Sequence, residues 1–323
     1  MGMLIEGEWK VESEFPRSAS GKFERATSVL RNWITADGAP GPSGEGGFPA
    51  EKGRYHLYVS YACPWAHRAL IVRAIKGLQD HIGVSVVNYE MLEDGWTFQP
   101  GPKVVPDPFH GAECLYQVYQ HADSQYTGRV TVPLLWDTQR DTAVSNESSE
   151  IIRMLNSAFD HLGAQGPDLY PEPLRDQIDA LNERIYHTVN NGVYKAGFAT
   201  DQAAYEESVT ALFDTLDFLE DHLKDRTYLV GEVQTEADWR LFTTLIRFDA
   251  VYYTHFKCNL RRLLDYPRLQ SYLEHLYAMP GVAGTVHMDH IKGHYFRSHK
   301  SLNPKGIVPK GPILPFMDGP QGD

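Results

Sequence analysis

The sequence predicts two domains, an α/β domain followed by an all-helical domain. Its 323 residues exceed the length of one ordinary small domain. Over residues 51–165, short β-branched runs alternate with stretches of helical spacing, whereas over 170–299 only helical spacing remains. Residues 1–50 and 300–323 are polar and rich in glycine and proline, so we expect an irregular N-terminal extension and an irregular C-terminal tail.

The predicted elements of the α/β domain follow a definite order. After Pro64, apolar residues recur at three- and four-residue spacing, which predicts a helix between two short β-branched runs. Two strands that such a crossover helix connects are expected to be parallel. The predicted segments are strand 56–60, a helix from Pro64, strand 84–87, helix 115–122, strand 129–137, strand 142–145 and a helix that opens near residues 147–150. This is the element order of a thioredoxin-like domain, namely strand, helix, strand, helix, strand, strand and helix.

The second half of the chain carries only helical patterns. Thr235 and Asp238 resemble a capping box in which Asp replaces the usual Glu. Pro267 suits the first turn of another helix, which a Met-Pro-Gly sequence ends. The predicted helices are 174–189, 205–223, a helix from Glu236 through Phe248, and a helix from Pro267 to the stop at 279–281. This half is therefore predicted to be all-helical.

Composition and charge argue against several classes of function. A formal net charge of −12 leaves no basic patch to neutralise phosphates, so we expect no nucleic-acid partner. No apolar run is long enough to cross a bilayer, and the N-terminus lacks a signal-peptide pattern. The three cysteines are Cys63, Cys114 and Cys258, an odd and widely spaced set that does not suggest a disulfide framework. We expect a cytoplasmic protein.

Cys63 and Pro64 stand at the junction of a predicted strand and a predicted helix. A residue before proline avoids helical backbone angles, and proline is favoured at the first helical position, so Cys63 is predicted to be the N-cap. There the helix dipole lowers the pKa of a thiol and favours the reactive thiolate. The alternative is a small buried hydrophobic residue, and the Cys-Pro pair alone does not decide between the two. Ala66 stands where a dithiol oxidoreductase has its second cysteine, so an external thiol such as glutathione would have to resolve a disulfide at Cys63.

Several motifs together resemble one family. They are Arg31-Asn32-Trp33, Cys63-Pro64-Trp65-Ala66, Asp94-Gly95-Trp96, Val132-Pro133, Ser145-Asn146-Glu147-Ser148, Asn190-Asn191-Gly192-Val193-Tyr194-Lys195 and His294-Tyr295-Phe296-Arg297-Ser298-His299. With these motifs the chain resembles the glutathionyl-hydroquinone reductases, the Xi class of the glutathione transferases. The resemblance covers nearly the whole chain, except the last dozen residues. It implies an N-terminal thioredoxin-like domain followed by a C-terminal helical glutathione-transferase domain.

The resemblance also implies a glutathione site. Val132 would precede a cis Pro133 and pair its backbone with the cysteine of glutathione, where the motif alone would suggest an edge-strand proline. Glu147 and Ser148 would receive the γ-glutamyl end at a helix start, a place that also suits simple helix capping. Trp96 would pack against the tripeptide, and Arg129 would pair with its glycyl carboxylate. The implied glutathione-binding residues are Trp96, Arg129, Val130, Thr131, Val132, Glu147 and Ser148.

Three of the 18 tyrosines belong to the implied catalytic site. By resemblance, Tyr194, Tyr252 and Tyr295 surround the sulfur, although from the residues alone all three would be interpreted as core aromatics. Tyr252 and Tyr295 would stabilise the Cys63 thiolate, and Tyr194 would donate or accept a proton. The neighbour Tyr253 should point elsewhere, because adjacent residues do not share a helix face.

The function implied is glutathione-dependent reduction of glutathionyl-hydroquinones through a disulfide between Cys63 and glutathione. The family further implies a homodimer and no metal. His287, His290 and His294 have near-helical spacing, which could suggest zinc, but no acid that could activate a bound water accompanies them. We expect these histidines to make hydrogen bonds at the surface or between elements instead.

Two alternatives remain. An Omega-like thioltransferase or dehydroascorbate reductase shares the Cys-Pro chemistry and would be distinguished by its activity on dehydroascorbate. A non-catalytic glutathione-binding protein on the same fold would show no turnover at all. Cys63 argues against the second alternative, and Trp96 with the tyrosine-rich tail argues against the first.

Overall fold

A computed structural model describes residues 2–11 and 27–317 of the chain. Its described residues divide into two compact units. Among the described residues, the first unit contains 2–11, 27–166 and His287–His294, and the second contains Pro167–Val286 and 295–317. The last α-helix therefore contributes residues to both units, whereas the sequence predicted that the helical domain would run unbroken over 170–299.

The first unit is built on a four-stranded sheet. Its elements are β3 (Tyr55–Val59), α1 (Pro64–Ile75), β4 (Ile82–Val86), α2 (Leu115–Ala122), β6 (Leu134–Asp137), β7 (Thr142–Ser145) and α3 (Ser148–Ser157). The strand order in the sheet is β4-β3-β6-β7. Strands β3 and β4 are parallel and joined by helix α1, and β6 and β7 continue the sheet as antiparallel neighbours. This order confirms the thioredoxin-like prediction.

A second small sheet in the same unit contradicts the prediction of an irregular extension over residues 1–50. Strands β1 (Gly2–Ile5) and β2 (Glu8–Val11) form an antiparallel hairpin, and β1 also pairs with β5 (Gly128–Arg129). The turn residues Glu6 and Gly7 both have positive φ, at 49° and 77°, as a two-residue hairpin turn requires. Glutamate is not a residue typical of that position, which explains why the pattern gave no hairpin signal.

The predicted strand over 129–137 is two strands in the structure. β5 ends at Arg129 and belongs to the small sheet, whereas β6 begins at Leu134 in the large sheet. Pro133 stands just before β6 and has no backbone N–H to donate to a ladder. The interruption leaves Val130–Val132 outside both sheets, which is where the glutathione contacts were expected.

Residues 27–50 have no regular structure, but they contribute to the core of the first unit. The backbone N–H of Asn32 donates to Val144 at 2.9 Å, and that of Asn146 donates to Leu30 at 3.1 Å. Arg31 forms an ion pair with Glu150. Phe48 is 1% exposed, so this stretch covers the edge of the sheet at β7.

In its described residues, the regular elements of the second unit are all helices, as predicted, and residues 299–314 are irregular. Its helices are α4 (Arg175–Ile185), α5 (Gly192–Gly197), α6 (Gln202–His222), α7 (Glu236–Arg247), α8 (Tyr253–His255), α9 (Pro267–Tyr277) and the end of α10 (Met288–Ser298). Thr235 is the N-cap of α7, and the capping box with Asp238 forms as expected. Among the described residues, no helix is long and apolar enough to span a membrane.

Candidate active site

Cys63 occupies the position that the sequence predicted, between the end of β3 and the first turn of α1. It is the N-cap of α1, with extended backbone angles (φ −74°, ψ 122°), and Pro64 is the first helical residue. Its carbonyl accepts the N–H of His67 at 3.0 Å, and its own N–H donates to Ser60 at 3.1 Å. The side chain is half-buried. A thiolate at this place faces the positive end of the helix.

The segment before β6 lies beside this thiol. The Cys63 Sγ donates to the carbonyl of Val132 at 3.5 Å, across a sequence separation of 69 residues. The Val132–Pro133 peptide bond is cis, as the resemblance implied. The structure therefore brings together the predicted nucleophile and the backbone that was predicted to pair with glutathione.

Thr131 is fixed by a buried polar network. The hydroxyl of Tyr119 donates to the Thr131 carbonyl at 2.8 Å and accepts the Thr131 N–H at 3.3 Å. Asn146 donates to the Tyr119 hydroxyl at 3.3 Å. These bonds give the irregular segment between β5 and β6 a defined path. Arg129, at the start of this path, is half-buried and lies opposite Met3 in the small sheet.

Glu147 is the N-cap of α3, so the capping interpretation holds for this residue. Its carboxylate accepts the N–H of Ser149 at 3.0 Å and the hydroxyls of Ser149 at 2.8 Å and Ser28 at 3.1 Å. Burial works to raise the pKa of Glu147, but these hydrogen bonds and the charge of Arg68 together hold that pKa below its ordinary value. The carboxylate is thus charged and held in place.

Arg68 is a site residue that the sequence analysis missed. It is 1% exposed, its guanidinium lies 4.4 Å from the ring centre of Trp65, and Nη1 donates to the hydroxyl of Ser148 at 3.4 Å. A buried cation beside the start of α3 adds to the attraction for a carboxylate there. The available signal was the Trp-x-x-Arg spacing on one helix face behind Cys63.

Trp96 lies in a loop that is held from two sides. It is 7% exposed, and its ring stacks on His294 with centroids 4.9 Å apart. The Nδ1 of His294 lies 2.8 Å from the carbonyl of Tyr89 and so must carry the proton. On the other side, the indole N–H of Trp9 donates to Glu93 at 3.1 Å. A Cβ added to Gly95, which has φ +66°, would come within 2.9 Å of the Trp9 ring.

The hairpin that the sequence missed therefore supports the loop that carries Trp96. Trp9 of β2 also stacks on Tyr116 at 4.8 Å. The histidines of α10 support the same region, since His290 bonds the carbonyl of Pro102 at 2.7 Å and His287 bonds Lys103 at 3.2 Å. These are the hydrogen bonds between elements that the sequence analysis expected for the three histidines.

The three predicted tyrosines come together within the second unit. The hydroxyl of Tyr295 lies 2.5 Å from that of Tyr194 and 3.0 Å from that of Tyr252. Burial raises the pKa of both Tyr252 and Tyr295 well above the ordinary value, so both phenols stay protonated and can donate. Tyr253 is half-buried and lines a separate cavity beside Asp249, in agreement with the prediction that it points elsewhere.

The other two cysteines are not comparable to Cys63. Burial raises the pKa of both Cys114 and Cys258, which keeps their thiols protonated. None of the three forms a disulfide within the described residues. Cys63 is therefore the candidate nucleophile by environment as well as by position.

Comparison with known proteins identifies the family. The N-terminal domain model of the glutathione S-transferases matches residues 62–158, and the C-terminal domain model matches residues 202–275. The chain is 58% identical to glutathionyl-hydroquinone reductase YqjG of Escherichia coli, over 100% of this chain and 98% of that protein. The chain belongs to the glutathionyl-hydroquinone reductases, the Xi class of the glutathione transferases.

Other Xi-class proteins agree with this assignment. The chain is 55% identical to glutathionyl-hydroquinone reductase PcpF of Sphingobium chlorophenolicum, over 98% of each chain. The glutathione-bound structure of YqjG superposes with a TM-score of 0.91 at 56% identity, covering 99% of this chain and 98% of that one. The structure of the Xi transferase of Phanerochaete chrysosporium superposes with a TM-score of 0.86 at 52% identity, covering 90% of this chain and 98% of that one. This Xi-class chain therefore shares its thioredoxin-like domain and its helical domain with these relatives.

Proposed function

We propose that this Xi-class reductase uses glutathione to reduce glutathionyl-hydroquinones to hydroquinones, with release of oxidised glutathione. The observation that carries the proposal is the 58% identity, along the entire chain, to a glutathionyl-hydroquinone reductase. The position of Cys63 at the N-terminus of α1 supports it, because thiolate attack is the chemistry that such a position favours.

The proposed reaction has two steps, a thiolate attack on the thioether sulfur that forms a mixed disulfide, and a thiol–disulfide exchange that resolves it. First, the ring carbon that bears sulfur is protonated, which gives a dienone tautomer with a weakened carbon–sulfur bond. The Cys63 thiolate attacks the glutathione sulfur, a sulfur–sulfur bond forms, and the electron pair of the carbon–sulfur bond stays with the ring as the hydroquinone leaves. A second glutathione thiolate then attacks the mixed disulfide, which gives oxidised glutathione and restores the Cys63 thiolate.

Tyr194 is the proposed group for the proton transfer, and Tyr252 and Tyr295 are proposed to stabilise the thiolate. Two observations support these roles. The hydroxyl of Tyr295 is hydrogen-bonded to the hydroxyls of both Tyr194 and Tyr252. The raised pKa values of Tyr252 and Tyr295 keep both of these phenols protonated. A protonated phenol donates a hydrogen bond to a sulfur anion and can also act as a general acid.

The proposed glutathione contacts lie in the first unit. Val132 would bond the cysteinyl backbone of the tripeptide, with Val130 and Thr131 completing that segment. The start of α3 would receive the γ-glutamyl end through Glu147 and Ser148, while Trp96 would pack against the tripeptide and Arg129 would pair with the glycyl carboxylate. The charged Glu147 carboxylate suits an ammonium group, and the buried Arg68 beside Ser148 suits a carboxylate.

A turnover assay tests the proposed function. The chain is incubated with a panel of glutathionyl-hydroquinones and excess glutathione, and the released hydroquinone and oxidised glutathione are measured together. We expect one oxidised glutathione for each hydroquinone, and no turnover by Cys63→Ala. Failure of the parent protein to release hydroquinone from any member of the panel would reject the proposal.

One observation favours a second candidate function. The chain is 47% identical to the protein named glutathione S-transferase omega-like 2 of Schizosaccharomyces pombe, over 92% of this chain and 95% of that protein. Reduction of dehydroascorbate by glutathione, measured with the same enzyme preparation, separates the two functions. A higher kcat/KM for dehydroascorbate than for every glutathionyl-hydroquinone would favour the Omega-like activity, and no activity in either assay would favour a binding protein.

We also propose that the protein works as a homodimer in a reducing cytoplasm. The support for the compartment is chemical, since Cys63 must remain a thiol between turnovers and glutathione must be abundant. Analytical ultracentrifugation of the purified protein tests the dimer, and a sedimenting mass of one chain at micromolar concentration would contradict it.

A further inference from the structure

A cluster of two histidines and one aspartate lies in the first unit, outside the residues assigned to the reaction. Asp141 is in the turn between β6 and β7, His121 is near the end of α2, and His110 is in the loop before α2. The Nε2 of His110 is 2.8 Å from one oxygen of Asp141, and the Nε2 of His121 is 2.7 Å from the other. The centroids of the two imidazole rings are 3.8 Å apart.

The two histidine–aspartate separations in this cluster are close to those of a tetrahedral metal site. Ligand atoms about 2.0–2.1 Å from a zinc ion are about 3.3 Å from one another, and the three side chains here have ligand atoms that all lie within 4.8 Å. The ion would be admitted if each histidine–aspartate contact lengthened by about half an ångström and the two Nε2 atoms stood about 3.3 Å apart. His121 and Asp141 are exposed, so water can supply the fourth ligand.

The other face of His110 supports the same interpretation. Its Nδ1 is buried and has no hydrogen-bond partner among the described residues. A carboxylate oxygen of Asp107 lies 3.7 Å away, and Asp107 is fixed by the hydroxyl of Tyr58 at 2.7 Å and the N–H of Ala112 at 3.1 Å. A metal on Nε2 requires the proton on Nδ1, where it would point to Asp107, and a carboxylate behind a ligating histidine is the usual arrangement.

We propose that His110, His121 and Asp141 bind a zinc ion, which joins the β6–β7 turn to α2 and to the loop that precedes it. Binding displaces the hydrogen bonds from the two imidazoles to Asp141 and leaves each imidazole protonated on Nδ1. Asp141 is at the turn end of β6, whereas Val132 and Pro133 are at its other end, so the ion has a structural role and takes no part in the thiol reaction.

Zinc affinity of matched variants tests the site. Protein without an affinity tag is stripped with a chelator and titrated with zinc against a chromophoric chelator. Every protein in the set carries Cys63→Ala, because a thiolate would also bind zinc. His110→Asn, His121→Asn and Asp141→Asn are compared with His161→Asn, which alters an exposed histidine outside the cluster. Asp141 has φ 52°, and asparagine tolerates that region as aspartate does, so this variant removes the charge without backbone strain.

We expect one zinc ion per chain in the parent, an affinity at least tenfold weaker in each of the three cluster variants, and no change in His161→Asn. Zinc should also raise the Tm of the parent and of His161→Asn, but not that of the cluster variants, since an ion that binds only the folded state stabilises it. Equal affinity in all four variants, or no saturable binding by the parent, would overturn the proposal.

Discussion

A cysteine that follows a buried strand by one short turn and caps the next helix combines two requirements of thiol chemistry. Its sulfur faces the unsatisfied N–H groups of the first turn, and backbone hydrogen bonds to Ser60 and His67 hold its backbone in place. Cys63 meets both requirements, with Pro64 fixing the first helical residue. This placement could be predicted from the Cys-Pro pair because both preferences are local properties of the backbone.

Removal of the Tyr194 hydroxyl should slow the chemical step. A group that moves a proton in the transition state contributes about 10²–10⁴ to the rate, so Tyr194→Phe should lower kcat by about 100-fold or more. Glutathione affinity, measured by calorimetry, should be unchanged. Tyr253→Phe is the matched control, since its ring lines a separate cavity, and it should keep the parent kcat. Full turnover by Tyr194→Phe would show that another group transfers the proton.

Glu147→Gln should weaken the start of α3 in a pH-dependent way. Loss of a charged cap costs about 1 kcal/mol of unfolding free energy. The folded pKa of Glu147 is below its ordinary value, so its stabilisation is fully present above the unfolded pKa, about 4.3, and is lost as the pH falls through the folded pKa. Urea unfolding should therefore show a difference between parent and variant at pH 7 that shrinks below pH 4.

The exposed Glu232 is the control for that measurement. Glu232→Gln should unfold like the parent at pH 7 and below pH 4, because an exposed carboxylate that caps no helix contributes little to stability. A difference between Glu147→Gln and the parent that stays constant from pH 7 to pH 3.5 would mean that the carboxylate charge is not what stabilises the helix start.

At the scale of elements, the capping box of α7 is the contact whose loss should be most costly. Asp238 is fully buried and accepts the N–H groups of Leu229 at 2.8 Å and Thr235 at 2.7 Å, and the hydroxyl of Tyr272 at 2.7 Å. Asp238→Ala leaves these donors buried and unpaired and should cost about 3 kcal/mol, whereas Tyr272→Phe should cost about 1.5 kcal/mol.

Urea denaturation measures both differences. When the slope m is the same in parent and variant, a shift of the midpoint reports a change in stability rather than a change in the surface exposed on unfolding. If Asp238→Ala unfolds at the same urea concentration as Tyr272→Phe, the backbone bonds of the capping box contribute nothing beyond the phenol contact, and this account of α7 is wrong.

Apolar patterns predicted the large elements because a helix buries one face and a central strand is buried on both faces. Helix α6 keeps its apolar side chains at three- and four-residue spacing over 21 residues, and β3 is buried along its whole length. The hairpin of β1 and β2 escaped prediction because β2 has no buried residue and its turn uses glutamate. Its stability comes from distant partners such as β5 and Glu93, which no local pattern reveals.

At the scale of the whole molecule, the site could be predicted only in part from physical patterns. Cys63 and the start of α3 follow from local backbone preferences, but the meeting of Tyr194, Tyr252 and Tyr295 depends on three distant segments and came from the family resemblance. Arg68 was missed because a cation on the buried face of a helix is rare, and its one signal, the spacing from Trp65, is weak. The cluster of His110, His121 and Asp141 was missed because its members, like the tyrosines, are far apart in the sequence, and no family resemblance pointed to them.

The central claim is that one thiol, Cys63, carries the reaction through a mixed disulfide with glutathione. The most direct test is the intact mass of the enzyme after incubation with a glutathionyl-hydroquinone in the absence of free glutathione. We expect one hydroquinone released per active site, followed by arrest, and a mass gain of one glutathione on Cys63 that added glutathione reverses. Cys114→Ala and Cys258→Ala should behave as the parent. Sustained turnover by Cys63→Ala, or an internal disulfide from Cys63 to Cys114 or Cys258, would contradict the account.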